Sequence, residues 1–250
     1  MSPLTIIAII VVIALVFFIM KYVFSTTNTL QGNLLNGKAV TEIDSKNLSG
    51  GGTATNFSYS VWFYVNDWTY KYGKPKILFA RMNAPSDSST SNTIDALKQK
   101  QPSPCVVLGE VENTINVMVT CFAPMGVTPT IGKDSIVDSH VVRNIPIQKW
   151  VNLSISVYDR TLDVYLDGKL VKTGLLSGTA NVKPNKVYLT PNDGFDGWTS
   201  KFLYYPKPMN PQEAWNIYAQ GPTGWMSNLS TYQIQLSLIE NGTPQSSVTI

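Results

Sequence analysis

Trp150-Val-Asn-Leu-Ser-Ile-Ser-Val-Tyr-Asp159 decides the fold, together with the two short runs that follow it, Leu162–Leu166 and Leu170–Thr173. Val151, Leu153, Ile155 and Val157 recur at every second position, the period that places side chains on one face of a β-strand. Between the two short runs stands Asp167-Gly168. A two-residue Asp-Gly link between alternating segments is the strongest local signal for a hairpin, because both central residues take φ > 0. The stretch therefore reads as three consecutive antiparallel strands.

The same period extends outward. Phe57, Tyr59, Val61, Phe63 and Val65 alternate with Ser58 and Ser60, and Trp62 and Tyr64 then make the segment apolar on both faces, as in a strand at the centre of a sandwich. Lys38–Ile43, Lys76–Met82, Lys186–Thr190 and Trp198–Tyr205 read as further strands, and Tyr232, Ile234, Leu236 and Leu238 as a last one. Asn83 to Gln101, rich in Ser, Asn, Asp and Lys, reads as a long exposed loop. One helix is marked near 211–219: Asn210 as N-cap, Pro211 at the first helical position, Glu213 closing a capping box, Gly221-Pro222 as the stop. Many short strands with one helix predict an all-β chain, a two-sheet antiparallel jelly-roll sandwich.

Cys105 and Cys121 flank a further hairpin. If its turn is centred on Asn113, Leu108 faces Met118 and Cys105 faces Cys121, within reach of a disulfide. Two small apolar residues filling the core are the alternative.

Before the sandwich, Leu4 to Met20 is apolar except for Thr5, and Tyr22-Val-Phe24 extends the run past Lys21. About 20 helical residues span a bilayer core of roughly 30 Å. A cleaved signal peptide would want basic residues ahead of a shorter run and a small-residue cleavage site. Met1-Ser2-Pro3 has no basic residue and Ser25-Thr-Thr27 is a poor site, so a retained transmembrane anchor is expected over residues 1–24. Lys21 and Lys38, both C-terminal to the span, lean toward a cytosolic C-terminal domain. Residues 25–37 then form a polar connector, 38–222 the sandwich domain, and 223–250 the C-terminal strand and tail.

A net charge of +3 without a basic block gives nucleic acid no electrostatic footprint. One histidine and two cysteines are too few for a His/Cys zinc site. His140 lies in a polar stretch without an evident catalytic partner.

The segments Phe57–Tyr64, Lys76–Phe79, Trp150–Ser156, Leu162–Lys169, Gly194–Gly197 and Pro211–Tyr218 together resemble a laminin-G-like domain of the concanavalin A-like lectin/glucanase superfamily, over about Lys38 to Pro222. The N-terminal anchor, Trp62–Trp68 and the C-terminal strand also resemble minor capsid proteins of large DNA viruses, chloroviruses among them. The first resemblance implies a jelly roll. The second implies a structural protein of the virion, between capsid shell and internal membrane.

The superfamily includes glucanases with three carboxylates alternating on one strand, two of which serve as nucleophile and acid. Glu42-Ile43-Asp44 begins that pattern, but Lys46 and Asn47 stand where the second glutamate belongs, so no catalytic residue is assigned. Asn192, Asp193 and Asp196 are candidate Ca²⁺ ligands, although Asn-Asp-Gly is also ordinary turn chemistry. Trp68, Tyr70 and Tyr72 are candidates for stacking on a sugar. Five N-x-S/T sequons begin at Asn47, Asn56, Asn152, Asn228 and Asn241, with Asn152 in mid-strand.

The expectation is a non-catalytic, single-pass membrane protein without a cofactor. It would link a protein shell to a lipid bilayer or, alternatively, recognise glycans as a membrane-bound lectin.

Overall fold

The computed structural model describes residues 28–83, 93–222, 235–240 and 243–249. The span expected at 1–24 lies outside them. Among the described residues no helix is long and apolar enough to cross a membrane.

In chain order the strands are β1 (Thr29–Gln31), β2 (Leu35–Asn36), β3 (Thr41–Ile43), β4 (Phe57–Asp67), β5 (Lys76–Arg81), β6 (Cys105–Leu108), β7 (Ile115–Phe122), β8 (Ser135–Val142), β9 (Trp150–Tyr158), β10 (Thr161–Leu166), β11 (Lys169–Leu175), β12 (Val187–Leu189), β13 (Asp196–Tyr205), β14 (Gln235–Glu240) and β15 (Thr243–Thr249). The helices are α1 (Ile94–Gln99) and α2 (Pro211–Ala219). Two antiparallel sheets form a sandwich. The first runs β1-β13-β4-β9-β10-β11, with β2 also on β13, and the second runs β3-β12-β5-β6-β7-β8. β14 and β15 pair with each other, so the expected last strand is the first arm of a hairpin.

The alternating residues that announced the fold fill the space between the sheets. Phe57, Tyr59, Val61, Phe63 and Val65 from β4 and Val151, Leu153, Ile155 and Val157 from β9 join Phe79, Val106, Val117 and Val119 from the opposite sheet in one core. At Asp167-Gly168 both residues have positive φ, 49° and 72°, and Leu166 pairs with Lys169 across the turn. The helix is capped as read: Asn210 Oδ1 accepts from Glu213 N at 2.8 Å, and Asn210 N donates to Glu213 Oε2 at 2.9 Å.

Several expectations are corrected. The connector 25–37 is not merely a tether, since β1 and β2 lie within it and pair with β13. The exposed loop 83–101 contains α1, capped by Thr93, whose Leu97 is buried on the outer face of the second sheet with Ile77, Ala80 and Met118. His140 lies in strand β8, not in a loop, and its ring covers Gly174 of β11, where an added Cβ would sit 2.5 Å from the imidazole. The serines of β4 and β9 alternate with the core yet are buried. Ser58 Oγ donates to Lys207 O at 2.7 Å, Met209 N donates to Ser156 Oγ at 2.8 Å, and Ser154 Oγ donates to Ser60 Oγ at 2.9 Å. α2 and the segment before it cover this polar stripe, with Trp62 stacked on Tyr218 at 5.7 Å. The sequon residue Asn152 is part of the stripe, donating to Ser60 Oγ at 3.1 Å, and is fully buried.

The hairpin register also differs. Leu108 pairs with Ile115 and Cys105 with Met118, while Cys121 pairs with Ile136 of β8. The turn is centred between Val111 and Glu112 because Gly109 folds tightly onto it: Gly109 N donates to Thr114 O at 2.8 Å, and a Cβ at Gly109 would lie 2.3 Å from Glu112 O. A three-residue shift is odd, so it sends the two thiols to opposite faces. Both cysteines are free.

Candidate functional site at one end of the sandwich

The candidate site residues come from two segments more than a hundred positions apart, which the fold brings to the same end of the molecule. The first is the turn after β4. Asp67 Oδ1 accepts from Thr69 N at 2.8 Å and from Thr69 Oγ1 at 2.7 Å, which starts the turn, and Gly73, at φ 75°, anchors it by donating to Glu110 O at 3.0 Å. The second is Pro191–Gly197. Asn192 and Asp193 have φ of 54° and 55°, a conformation that Asn and Asp tolerate better than most residues. Glycine at 197 is obligatory, because a Cβ there would lie 1.9 Å from Tyr64 O.

The two segments are joined by polar contacts. Tyr70 OH donates to Asp193 O at 3.2 Å, and Lys71 Nζ donates to Asn192 O at 2.5 Å. Lys38 Nζ pairs with Asp196 Oδ1 at 2.5 Å and lies 4.6 Å from the centre of the Tyr70 ring. Asn66 Nδ2 donates to Asp196 Oδ2 at 2.8 Å. The Lys38 and Asn66 hydrogen bonds hold the Asp196 carboxyl below its usual range, and the same pairing raises Lys38.

Beneath this layer lies Lys76, a fully buried lysine. Its Nζ donates to Trp68 O at 3.1 Å and stands 5.1 Å from the centre of the Trp68 ring. Burial, with the Lys71 charge adding to it, lowers the Lys76 pKa. Burial also lowers Lys71, against the opposing pull of Asp193. The Asn192 side-chain amide nitrogen and Trp68 Nε1 are buried donors without a protein acceptor. The end is thus rich in donors: two lysines, an amide and an indole. Of these, Lys76, the Asn192 amide and the Trp68 indole are buried, and Lys71 is the donor nearest the surface.

The three aromatic candidates separate. Trp68 is half-buried against the core, and Tyr70 is held between Lys38 and Asp193. Tyr72 is 62% exposed and is the ring available for stacking. The Ca²⁺ candidates Asn192, Asp193 and Asp196 share one turn, but Lys38 occupies the Asp196 carboxylate and Lys71 the Asn192 carbonyl, so ammonium groups stand where a cation would need free oxygens. Among the described residues no three His, Cys, Asp or Glu side chains gather as metal ligands. Glu42 pairs with Lys186 at 2.9 Å, and Asp44 caps the 3-10 turn Ser45–Asn47 by accepting from Lys46 N. The lysines Lys71 and Lys76 were not nominated from the sequence; their flanking of the aromatic residues was the available signal.

No family model matches the sequence, and no curated protein matches it. Similar folds occur among solved structures. The binding domain of botulinum neurotoxin serotype D matches with a TM-score of 0.52 at 10% identity, over 75% of this chain and 42% of that one. The serotype D ligand binding domain in complex with N-acetylneuraminic acid matches with 0.51 at 10%, over 78% and 50%. The binding domain of Paraclostridial Mosquitocidal Protein 1 matches with 0.51 at 10%, over 74% and 42%. The chain spans half or less of the length of each of these. The likeness is to a jelly-roll-like β-sandwich fold and does not extend to the laminin-G or capsid assignments.

Proposed function

We propose that the protein is a non-catalytic binding module, tethered to a membrane through residues 1–24, whose 66–76/191–197 end recognises glycans. One observation carries the reading: Tyr70 and Lys71 are bonded to Asp193 and Asn192, so an exposed ring at Tyr72 and a donor-rich turn form one surface. The aromatic face suits the C–H face of a sugar, and the ammonium groups of Lys38 and Lys71 at the rim suit its hydroxyl and carboxylate oxygens. The serotype D complex with N-acetylneuraminic acid supports an acidic sugar as the first ligand to try. A glycan array probed with the full chain tests this reading. Competable binding concentrated on carboxylated sugars is expected, and an array without competable signal contradicts it. The tether is tested separately, because a spanning helix held by burial resists extraction by salt or carbonate and release by salt alone removes it from the account.

A second reading, a link between a viral protein shell and an internal membrane, draws on β11. Among the described residues this strand ends the first sheet without a further neighbour, and it exposes Leu170, Val171 and Leu175. Such an edge is a template for pairing with another chain. Co-purification with intact particles is its test, and absence from purified particles rejects it.

A further inference from the structure

Thr29 pairs with Leu203, and Tyr204 N donates to Asn28 O at 2.9 Å, so the chain enters the sandwich beside the Tyr205 end of β13. Tyr205 pairs with Ser58 near the start of β4, whereas Asp196 pairs with Asp67 at its finish. The entry is therefore at the end opposite the candidate site. From Tyr59, the partner of Tyr204, to Asp67 is about 27 Å at the rise of a strand. Four Cα steps separate Phe24, the last residue of the expected span, from Asn28. Fully extended they reach about 14 Å, against a headgroup layer roughly 5–7 Å thick. A span at 1–24 thus brings the entry end against the bilayer surface.

The same end carries an apolar turn that the core does not use. β5 runs from Lys76, beneath the candidate site, to Arg81; Ala80 pairs with Cys105 and Cys105 with Met118, so β7 finishes at Phe122 toward the entry end. The link from β7 to β8 closes where Ala123 N donates to Asp134 O at 2.7 Å. Its tip is a tight turn, with Val127 N donating to Pro124 O at 3.1 Å and Gly126 at φ 84°. Met125 stands at this tip fully exposed, with Phe122 43% and Val127 48% exposed beside it. Pro124 and Gly126 serve the turn, but methionine has no turn-forming role. Lys133 in the same link is followed by Asp134, so apolar burial rather than charge favours a contact here. Val40, Tyr72 and Val111 are exposed at the other end, and the point of entry is what separates the two.

The entry and the turn stand on opposite sides of this end. Asn28 Oδ1 accepts from Ser49 Oγ at 3.1 Å, in the segment that follows β3, whereas the turn joins β7 to β8. β3 and β8 are the two outer strands of the second sheet, about 24 Å apart at the spacing of strands.

We propose that this end of the sandwich docks on the bilayer that holds residues 1–24, with the Pro124–Val127 turn setting Met125 and Val127 into the membrane interface. The inference rests on the tether. Hydrocarbon cannot satisfy the polar backbone of a turn, so side chains alone enter. Tether and turn then hold the domain upright, and the 66–76/191–197 end faces away from the membrane, open to ligands.

The full chain with Met125→Cys, labelled there with an environment-sensitive fluorophore, is reconstituted in phosphatidylcholine vesicles that contain doxyl-labelled lipid. Cys105 and Cys121 are buried, so the new thiol takes the label. Val127→Cys is a second label site on the turn, and Val111→Cys, between β6 and β7 at the far end, is the control. Blue-shifted emission and quenching several-fold stronger at 125 and 127 than at 111 are expected, strongest with the doxyl group near the headgroup. The same vesicles are then washed with carbonate, which reads the tether independently. Quenching on the turn followed by release in carbonate would uphold the docking and remove the span. Retention in carbonate with equal quenching at all three positions, or with more at 111, would overturn the docking and leave the tether. No association with vesicles would overturn both.

Discussion

Cys105 and Cys121 lie in adjacent strands of one sheet on opposite faces, Cys105 under α1 with Met118 and Cys121 in the inter-sheet core. Burial pushes both thiols up, Cys121 to about 12. Neither is a nucleophile while the protein is folded. Iodoacetamide should label neither cysteine in native protein and both after unfolding, and the melting temperature should be the same with and without reductant. A melting temperature that falls on reduction would show a disulfide.

The α2 cap should be a measurable part of the stability, because the helix covers the serine stripe of β4 and β9. Asn210→Ala removes the bond to Glu213 N and should destabilise by about 1 kcal/mol. Urea denaturation reads this as a lower midpoint at unchanged slope. An unchanged midpoint would mean that the cap is dispensable.

Asp196 and Lys38 give the loop end an acid dependence. The folded pKa of Asp196 lies below the ordinary 3.8, so its ionised form contributes stability above the unfolded value, lost as pH falls through the folded one. Asp196→Asn should lower the melting temperature at neutral pH and leave it nearly unchanged once the pH is well below 3.8. An equal loss across that range would assign Asp196 a role other than its charge.

Lys76 carries the opposite sign. Its folded pKa lies below 10.5, so the unfolded chain binds more protons between the two values and stability rises with pH there. Lys76→Met fills the same space without the buried charge and should leave the melting temperature equal or higher at neutral pH while removing the alkaline rise. A fall of several degrees would show that the contact with Trp68 outweighs burial of the charge.

What could be read from the sequence was what obeys a short period. Val151 to Val157 and Phe57 to Val65 face the core because burial on one face imposes a two-residue repeat. That same rule leaves Ser58 and Ser60 unplaced, since alternation cannot tell a solvent face from one covered by a distant helix. β8 carries Asp138 and His140 at a sheet edge, and its polar pattern resembles a loop. α1, at six residues, is too short to show a period. The Cys105 hairpin was misregistered because Gly109, not Asn113, sets its turn. At the candidate site the aromatic residues and the Asn-Asp-Gly turn were legible as types. Their meeting was not, because it depends on how the two sheets bring 66–76 to 191–197.

The glycan account is tested most directly by isothermal titration of the full chain with an array-selected acidic oligosaccharide, comparing wild type with Tyr72→Ala and with Trp215→Ala. Trp215 is an exposed aromatic on α2, outside the proposed site. Tyr72→Ala should weaken binding about tenfold, on the order of 1–2 kcal/mol for a lost stacking contact, with the melting temperature unchanged. Trp215→Ala should bind as wild type. Undiminished affinity in Tyr72→Ala, or a loss in Trp215→Ala instead, would contradict the site.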